Sequence, residues 1–302
     1  MARMSVLTLR PFRPQRSPSG RKGSGWPERI EKKGEPKMKL FFIGAGKMAT
    51  ALASGIVRNK LFSAEELCAC DVNEVARAAF SKATGITCEP NAEKVREAEA
   101  ILLAVKPQVA ESVATALPKL KDGTLVISIC AGIPIKSLSK WFKTEKVIRV
   151  MPNTPLMVGC GASCYALGAG AVSADANLAS MILGSLGIAE EVDEAQLDAV
   201  TGLSGSGPAY FFEMVKAMTD AGKYVGLSEE LSLKLSIQTM AGAAEMLKRG
   251  MGTPDELRNA VTSPNGTTAA GLAVMASVDF RDLIARVVKA ATDRSVELGK
   301  GK

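Results

Sequence analysis

The sequence predicts an α/β protein in which a doubly wound parallel sheet is followed by an all-α region. Three observations point to this. Short apolar runs alternate with helix-period stretches from Met38 to about Ala199. Beyond Thr201 the strand signal disappears and only helical patterns remain. At the head of the series, Lys39 to Ala49 reads as a strand, a tight glycine turn and a helix.

In that opening stretch, Leu40 to Ile43 is apolar at every position, as in a strand covered on both faces. The run breaks at Gly44-Ala45-Gly46, after which Met48, Leu52 and Ile56 recur at helical spacing. With Ala49 in the last place, this is the G-x-G-x-x-A form of the dinucleotide-binding fingerprint. Gly44 permits the turn, Gly46 lets the backbone approach a pyrophosphate, and small Ala49 lets helix and strand pack closely. The amides of the helix N-terminus then face the phosphate charge.

Further strands are expected at Glu66 to Asp71, Gly85 to Cys88, Ala100 to Val105, Thr124 to Ile129 and Lys146 to Met151, with two more at 160–167 and 188–193. Helical stretches fall at 47–59, 74–83, 92–98, 108–117, 134–142 and 173–186. This places a nucleotide-binding domain at 38–199 and an all-helical domain at 200–302. In the second domain Pro208 suits a first helical turn. The helix it opens is apolar on nearly every side, so it belongs inside a bundle or a subunit interface. Ser228 starts the next helix, and Thr253-Pro254-Asp255-Glu256 has the pattern of a capping box. Ser263 to Gly266 breaks that helix, Thr267 opens another, and a last one runs from Asp279 to Leu298.

Composition removes several classes of chemistry. The 302 residues contain no histidine, which excludes Ser-His-Asp and Cys-His catalysis and histidine metal sites. Six cysteines show neither a C-x-x-C pair nor zinc spacing, so free thiols in a reducing compartment and no metal are expected. No run reaches the roughly 18–20 apolar residues of a membrane span. The net charge of +7 lies in residues 1–37, which hold ten Lys/Arg and three Glu; the remainder carries 28 of each sign. The body therefore has no global positive field for nucleic acid.

That basic tail, rich in Arg, Ser, Pro and Gly, is expected to be disordered. Its first 27 residues hold six basic side chains and no acid, in part like an organellar transit peptide. Pro11, Pro14 and Pro18 argue against the amphipathic helix of a mitochondrial one. The preferred reading is a start at Met38, with Gly34-Glu35 encoded by a purine-rich ribosome-binding stretch, and a cytoplasmic protein.

Four phrases occupy loops where a two-domain nucleotide enzyme has its cleft, and a fifth, Leu203 to Tyr210, leads into the first helix of the second domain. In chain order the five are Gly44 to Ala49, Ala104 to Gln108, Val150 to Pro155, Leu203 to Tyr210 and Ser263 to Thr268. In this order and spacing they closely resemble the pyrroline-5-carboxylate reductases, the last enzymes of proline biosynthesis, from Met38 to about Leu298. The resemblance implies a Rossmann domain, a helical dimerisation domain and oligomers built from dimers. It also implies an oxidoreductase passing hydride from NAD(P)H to the C=N carbon of Δ1-pyrroline-5-carboxylate, forming L-proline.

Roles follow for individual residues. Ile43, Gly44, Ala45, Gly46, Lys47 and Met48 should hold the pyrophosphate. Asp71, ending the second strand, is placed to accept hydrogen bonds from a ribose and to repel a 2′-phosphate, which favours NADH over the NADPH common in the family. Arg77 and Asn73 would accommodate that phosphate if Asp71 turned away. Asn91 matches a cofactor-contacting asparagine of the family, and reads equally as a helix cap. By the same resemblance Ala104, Val105, Lys106 and Pro107 lie near the nicotinamide half, as does Asn153; alone, Lys106 reads as a solvated strand-end charge. A turn entering a helix, Ser263 to Thr268, presents amides that suit a small carboxylate. The resemblance assigns that carboxylate to amides near Gly266 and Thr267, and the ring nitrogen to the Thr268 hydroxyl. The family more often has Gly at the position of Asn265. A cap formed by Ser263 and the threonines is the structural alternative. No strong side-chain acid is required, because solvent can protonate the imine and the enzyme then acts by proximity. Two other functions remain: a β-hydroxyacid dehydrogenase with Lys216 as base, and a non-catalytic NAD(P)-binding helical assembly.

Overall fold

Apolar tetrads become the centre of the sheet. The computed structural model describes residues 38–300; the readings of residues 1–37 lie outside the described residues. The strands are β1 (Leu40–Ile43), β2 (Leu67–Cys70), β3 (Thr87–Glu89), β4 (Ala100–Leu103), β5 (Leu125–Ser128), β6 (Val147–Met151), β7 (Gly161–Leu167) and β8 (Gly187–Glu191). Every residue of β1, β2, β4 and β5 is buried. The order is β3-β2-β1-β4-β5-β6-β7-β8. Pairing is parallel except between β6 and β7. That reversal has a simple cause. A parallel return needs a crossover of about a dozen residues or more, and only residues 152–160 separate the two strands.

Alternation along β1 divides the core. Leu40 and Phe42 face one layer with Leu52 and Ile56 of α1 (Lys47–Arg58), Phe80 of α2 (Glu74–Thr84) and, further along the sheet, Ile182. Phe41 and Ile43 face the other, with Ala114 of α3 (Ala110–Ala116) and Leu138 and Trp141 of α4 (Ile135–Phe142). Ile182 belongs to α5 (Ser173–Gly184). Two expected helices are shorter in form. Residues 92–98 make a 3-10 turn, Glu93–Glu97, and Pro107 opens a 3-10 turn that precedes α3.

The second half is helical throughout. It comprises α6 (Leu197–Val200), α7 (Gly207–Tyr224), α8 (Glu229–Lys248), α9 (Pro254–Ala260), α10 (Thr267–Ser277) and α11 (Phe280–Lys300). Between α6 and α7 the chain widens into a π-helical turn, Thr201–Gly205, so the expected boundary at 199/200 falls within a nearly continuous helical run. Gly202 is required there, because a side chain would collide with Thr292 and with the carbonyl of Val288 on α11. Ser228 caps α8, and Thr253 and Glu256 form the expected box on α9. The apolar helix α7 buries only Gly207 and Thr219 within its own chain, leaving Phe211 61% and Phe212 69% exposed. Of the two expected settings for this helix, the interior of a single-chain bundle is excluded.

Candidate active site

The parallel strands bring their C-terminal ends to one edge, and β1 and β4 adjoin where the strand order reverses. Such a switch point opens the crevice in which doubly wound folds bind ligands. Gly44 has φ +100°, a conformation side chains rarely adopt, and a Cβ there would lie 2.6 Å from the carbonyl oxygen of Ala104. Its amide donates to the Cys70 carbonyl at 2.8 Å, and that of Ala104 donates to the Ile43 carbonyl at 2.8 Å. The turn therefore locks β1, β2 and β4 together. Gly46 differs: a Cβ added to it meets nothing within 4 Å, so this side of the turn is open. It is also the N-cap of α1 and makes no side-chain cap, and no acid occupies the first turn. Lys47 is exposed and Met48 half-buried beside those amides, while buried Ala49 packs the helix onto the sheet. An open cradle of uncapped amides fits a pyrophosphate.

Asp71 follows β2 immediately. Its Oδ2 accepts the Ala45 amide at 2.8 Å, and its Oδ1 accepts that of Asn73 at 2.8 Å. Asn73 caps α2, accepting the Ala76 amide at 3.1 Å. Arg77 donates Nη1 to the carbonyls of Asp71 and Val72 at 2.9 and 3.1 Å. Exposed Asn91 accepts the Glu93 amide at 3.1 Å, one residue ahead of Ala92, the N-cap of the 3-10 turn. Val105 packs near Gly44, whereas Lys106 is exposed ahead of the turn that Pro107 begins. Burial pushes the neighbouring Cys70 thiol up to about 12, which keeps a thiolate away from this edge.

At the end of β6, Asn153 is engaged structurally: Nδ2 donates to Ser204, and Oδ1 accepts the Ala162 amide at 2.9 Å. Ser204 lies in the π-helical turn, a feature frequent at functional sites. Neither this partnership nor the pairing of Asp71 with Ala45 is signalled by sequence; the run of small residues from Leu203 to Pro208 is the only hint.

The Ser263–Thr268 phrase turns between α9 and α10. Asn265 has φ +60°, a left-handed conformation that asparagine tolerates better than most residues, which accounts for its standing in a glycine position. Gly266 is the N-cap of α10 and carries no side-chain cap, so Ser263 does not play the capping role. The Gly266 amide donates to the Ser263 carbonyl at 3.0 Å. The outward amides thus begin at Thr267 and Thr268. A Cβ at Gly266 would also collide with the Ser263 hydroxyl. Among the described residues, no hydrogen bond joins this turn to the glycine-turn edge. Lys216, the base required by a β-hydroxyacid dehydrogenase, is exposed on α7 and ion-paired with Asp220.

A model of pyrroline-5-carboxylate reductase dimerisation domains matches residues 194–298, and one of F420-dependent NADP oxidoreductases matches 39–132. The pyrroline-5-carboxylate reductase of Pisum sativum is 42% identical over 261 residues, covering 86% of this chain and 95% of that protein. That of Pseudomonas aeruginosa is 43% identical, covering 87% and 97%. The chain belongs to the pyrroline-5-carboxylate reductase family. Solved structures of the family agree. The Plasmodium falciparum pyrroline carboxylate reductase, with NADP bound, superposes with a TM-score of 0.78 at 34% identity, covering 88% of this chain and all of that one. The Coxiella burnetii reductase gives 0.79 at 30% identity, covering 87% and 98%. As in the family, a Rossmann-type domain that takes NADPH or NADH precedes a helical dimerisation domain. Among the described residues no helix is long and apolar enough to cross a membrane, and no cluster of metal-binding side chains occurs.

Proposed function

We infer that this chain reduces Δ1-pyrroline-5-carboxylate to L-proline, the last step of proline biosynthesis, using NADPH or NADH. Beyond family membership, the observation that carries this reading is a pair of uncapped helix N-termini, one at α1 behind the glycine turn and one at α10 behind Ser263–Gly266. The first suits a pyrophosphate and the second a small carboxylate.

In this proposal the amides of Gly46, Lys47 and Met48 hold the pyrophosphate, with Ile43, Gly44 and Ala45 forming the turn. Asp71, Asn73 and Asn91 border the adenosine half, and Ala104, Val105, Lys106, Pro107 and Asn153 border the nicotinamide. The bound cofactor supplies hydride. Ser263 and Gly266 shape the substrate turn, the amides of Thr267 and Thr268 fix the carboxylate, and the Thr268 hydroxyl orients the ring nitrogen. With no histidine in the chain, the imine proton comes from solvent, and the protein contributes proximity and orientation.

Residues 38–199 serve the nucleotide and 200–302 the substrate and the dimer, which assembles further into a larger homo-oligomer. Six free cysteines suit the reducing cytoplasm. The deciding experiment supplies pyrroline-5-carboxylate with NADH or NADPH and follows cofactor oxidation together with proline formation. Nucleotide binding without turnover on any cyclic imine would replace this reading with a non-catalytic assembly.

A further inference from the structure

We propose that the Ser204 hydroxyl touches the bound cofactor, donating a hydrogen bond to the carboxamide carbonyl of the nicotinamide and so fixing the ring that delivers hydride. The proposal rests on the reading of the β6 end as the nicotinamide's side of the crevice, and its binding test needs no turnover.

The direction of that hydroxyl proton is set by a backbone amide. The Ala162 amide can only donate, and it donates to Asn153 Oδ1 at 2.9 Å. This fixes which end of the Asn153 side-chain amide is which. Nδ2, which can only donate, is thereby turned on Ser204, 3.2 Å from its hydroxyl oxygen and 3.3 Å from its carbonyl. Ser204 Oγ is the acceptor in that pair, so its own proton points elsewhere. Among the described residues the Ser204 hydroxyl donates to nothing. Other hydroxyls of the helical half behave differently. Those of Thr201, Thr219, Ser232 and Ser236 each donate to the carbonyl four residues back. Ser204, inside the widened turn, keeps a donor to spare.

That donor stands on a held backbone at the edge of the sheet. β6 runs between β5 and β7, and Met151 ends it on the side where the parallel strands finish. A Cβ at Gly205 would collide with the Met151 side chain, so the π-helical turn lies directly on the strand end. The Ser206 amide closes the turn on the Thr201 carbonyl at 2.8 Å, and the Tyr210 hydroxyl donates to the Gly202 carbonyl at 3.1 Å. Ser204 itself is half-buried. A lone hydroxyl donor placed beside a nicotinamide has one matching acceptor on that ring, the carboxamide oxygen, because the ring nitrogen is bonded to ribose. Holding this oxygen stops the ring from turning and selects the face that offers hydride. Such positioning is what remains for the protein to supply when no strong acid takes part.

The test uses the full chain and calorimetric dissociation constants for NAD, its thionicotinamide and 3-acetylpyridine analogues, and ADP-ribose. The first analogue replaces the carbonyl oxygen by sulfur, a weak acceptor; the second keeps a carbonyl and lacks the amino group; ADP-ribose has no nicotinamide. The wild type should bind the thio analogue roughly 3- to 10-fold more weakly than NAD, the size of one neutral hydrogen bond, and the acetylpyridine analogue about as well as NAD. Ser204→Ala should weaken NAD by the same factor and leave the thio analogue, ADP-ribose and the urea midpoint nearly unchanged. Asn153 keeps the Ser204 carbonyl as a partner in this variant. Ser204→Thr retains a hydroxyl and should restore the discrimination. With pyrroline-5-carboxylate, kcat/KM of Ser204→Ala should fall by roughly the same 3- to 10-fold. An equal preference for NAD over the thio analogue in wild type and Ser204→Ala overturns the proposal. So does a parallel loss of ADP-ribose binding, which marks a structural role. If the alanine variant does not fold, the wild-type ratio between NAD and the thio analogue decides alone, and a ratio near one removes the contact. The expected binding pattern without turnover counts against the reductase reading and leaves the contact standing.

Discussion

The side-chain amide of Asn153 donates to both the carbonyl and the hydroxyl of Ser204, at 3.3 and 3.2 Å. Asn153 lies two residues beyond β6 and Ser204 lies in the π-helical turn, so one side chain ties the sheet edge to the start of the helical half. Asn153→Asp keeps an acceptor for Ala162 but turns a second acceptor toward the Ser204 carbonyl. The variant should lose about 1 kcal/mol of stability, the low end for a lost polar partner because the side chain is only half-buried. Urea unfolding measures it, and a wild-type midpoint for Asn153→Asp would mean that the tie contributes nothing.

Thr268 separates the catalytic proposal from a purely structural one. Thr268→Ala should lower kcat/KM for pyrroline-5-carboxylate by about 10- to 100-fold, or about 1.4–2.8 kcal/mol of transition-state stabilisation. Thr268→Ser keeps the hydroxyl and should retain most activity. Cofactor affinity should be nearly unchanged in both. Full activity in Thr268→Ala would remove this residue from the substrate site.

Arg149 is buried in β6 and pairs with Glu194 at 3.2 Å and with Asp198 at 3.4 Å. Glu194 also accepts the Ile135 amide at 2.6 Å, and Asp198 accepts the Ser295 hydroxyl at 2.7 Å. Sheet, α4, α6 and α11 therefore meet on one guanidinium. Arg149→Met leaves two carboxylates facing each other without their cation. A loss of about 3 kcal/mol is expected, the lower end for a broken buried pair because both acids keep some solvent. Arg149→Lys should recover only part, since an ammonium lacks the planar fork that serves two partners. A denaturation midpoint for Arg149→Met equal to wild type would contradict this.

Burial raises the Cys70 thiol from 9.0 to about 12 and that of Cys88 to about 11. Below pH 9 both the folded and unfolded chains keep these protons, and the associated stability is fully present. As pH rises above that value the unfolded chain releases protons that the folded chain retains, so stability falls until the folded thiols themselves ionise. For Cys70 the slope approaches about 1.4 kcal/mol per pH unit. Unfolding curves between about pH 8 and pH 10.5 should therefore decline less steeply in Cys70→Ala than in wild type. Parallel slopes would show that this thiol does not carry the effect.

Much of the fold was legible because its signals are local. Four-residue apolar runs, the Gly44–Gly46 break and the Thr253–Glu256 cap each state their structure within a few residues. The antiparallel β7 could also be inferred from the short 152–160 connection, though only once its pairing with β6 is known. The π-helical turn was not legible. It arises where α6 and α7 join and Gly202 fits against α11, a contact some 90 residues distant in sequence. At the candidate site, position alone singled out Gly44, Gly46 and Asp71, which the structure brings to one edge of the sheet. What Asp71 and Asn153 bond to was hidden, because both partners come from other elements. The bond between the Gly266 amide and the Ser263 carbonyl was hidden for a different reason: sequence places a helix start but does not tell which of its first amides the preceding turn engages.

The uncovered faces of α7, α8 and α10 have a consequence for how stability is measured. Phe211, Phe212, Leu235, Ile237 and Val274 stand in water in an isolated chain, and each large side chain removed from water contributes about 1.5–3 kcal/mol. Association through the dimerisation domain should therefore add to the stability of the helical half. The thermal midpoint should then climb with protein concentration. Dilution alone, without heat or denaturant, should then lower the stability of the helical half.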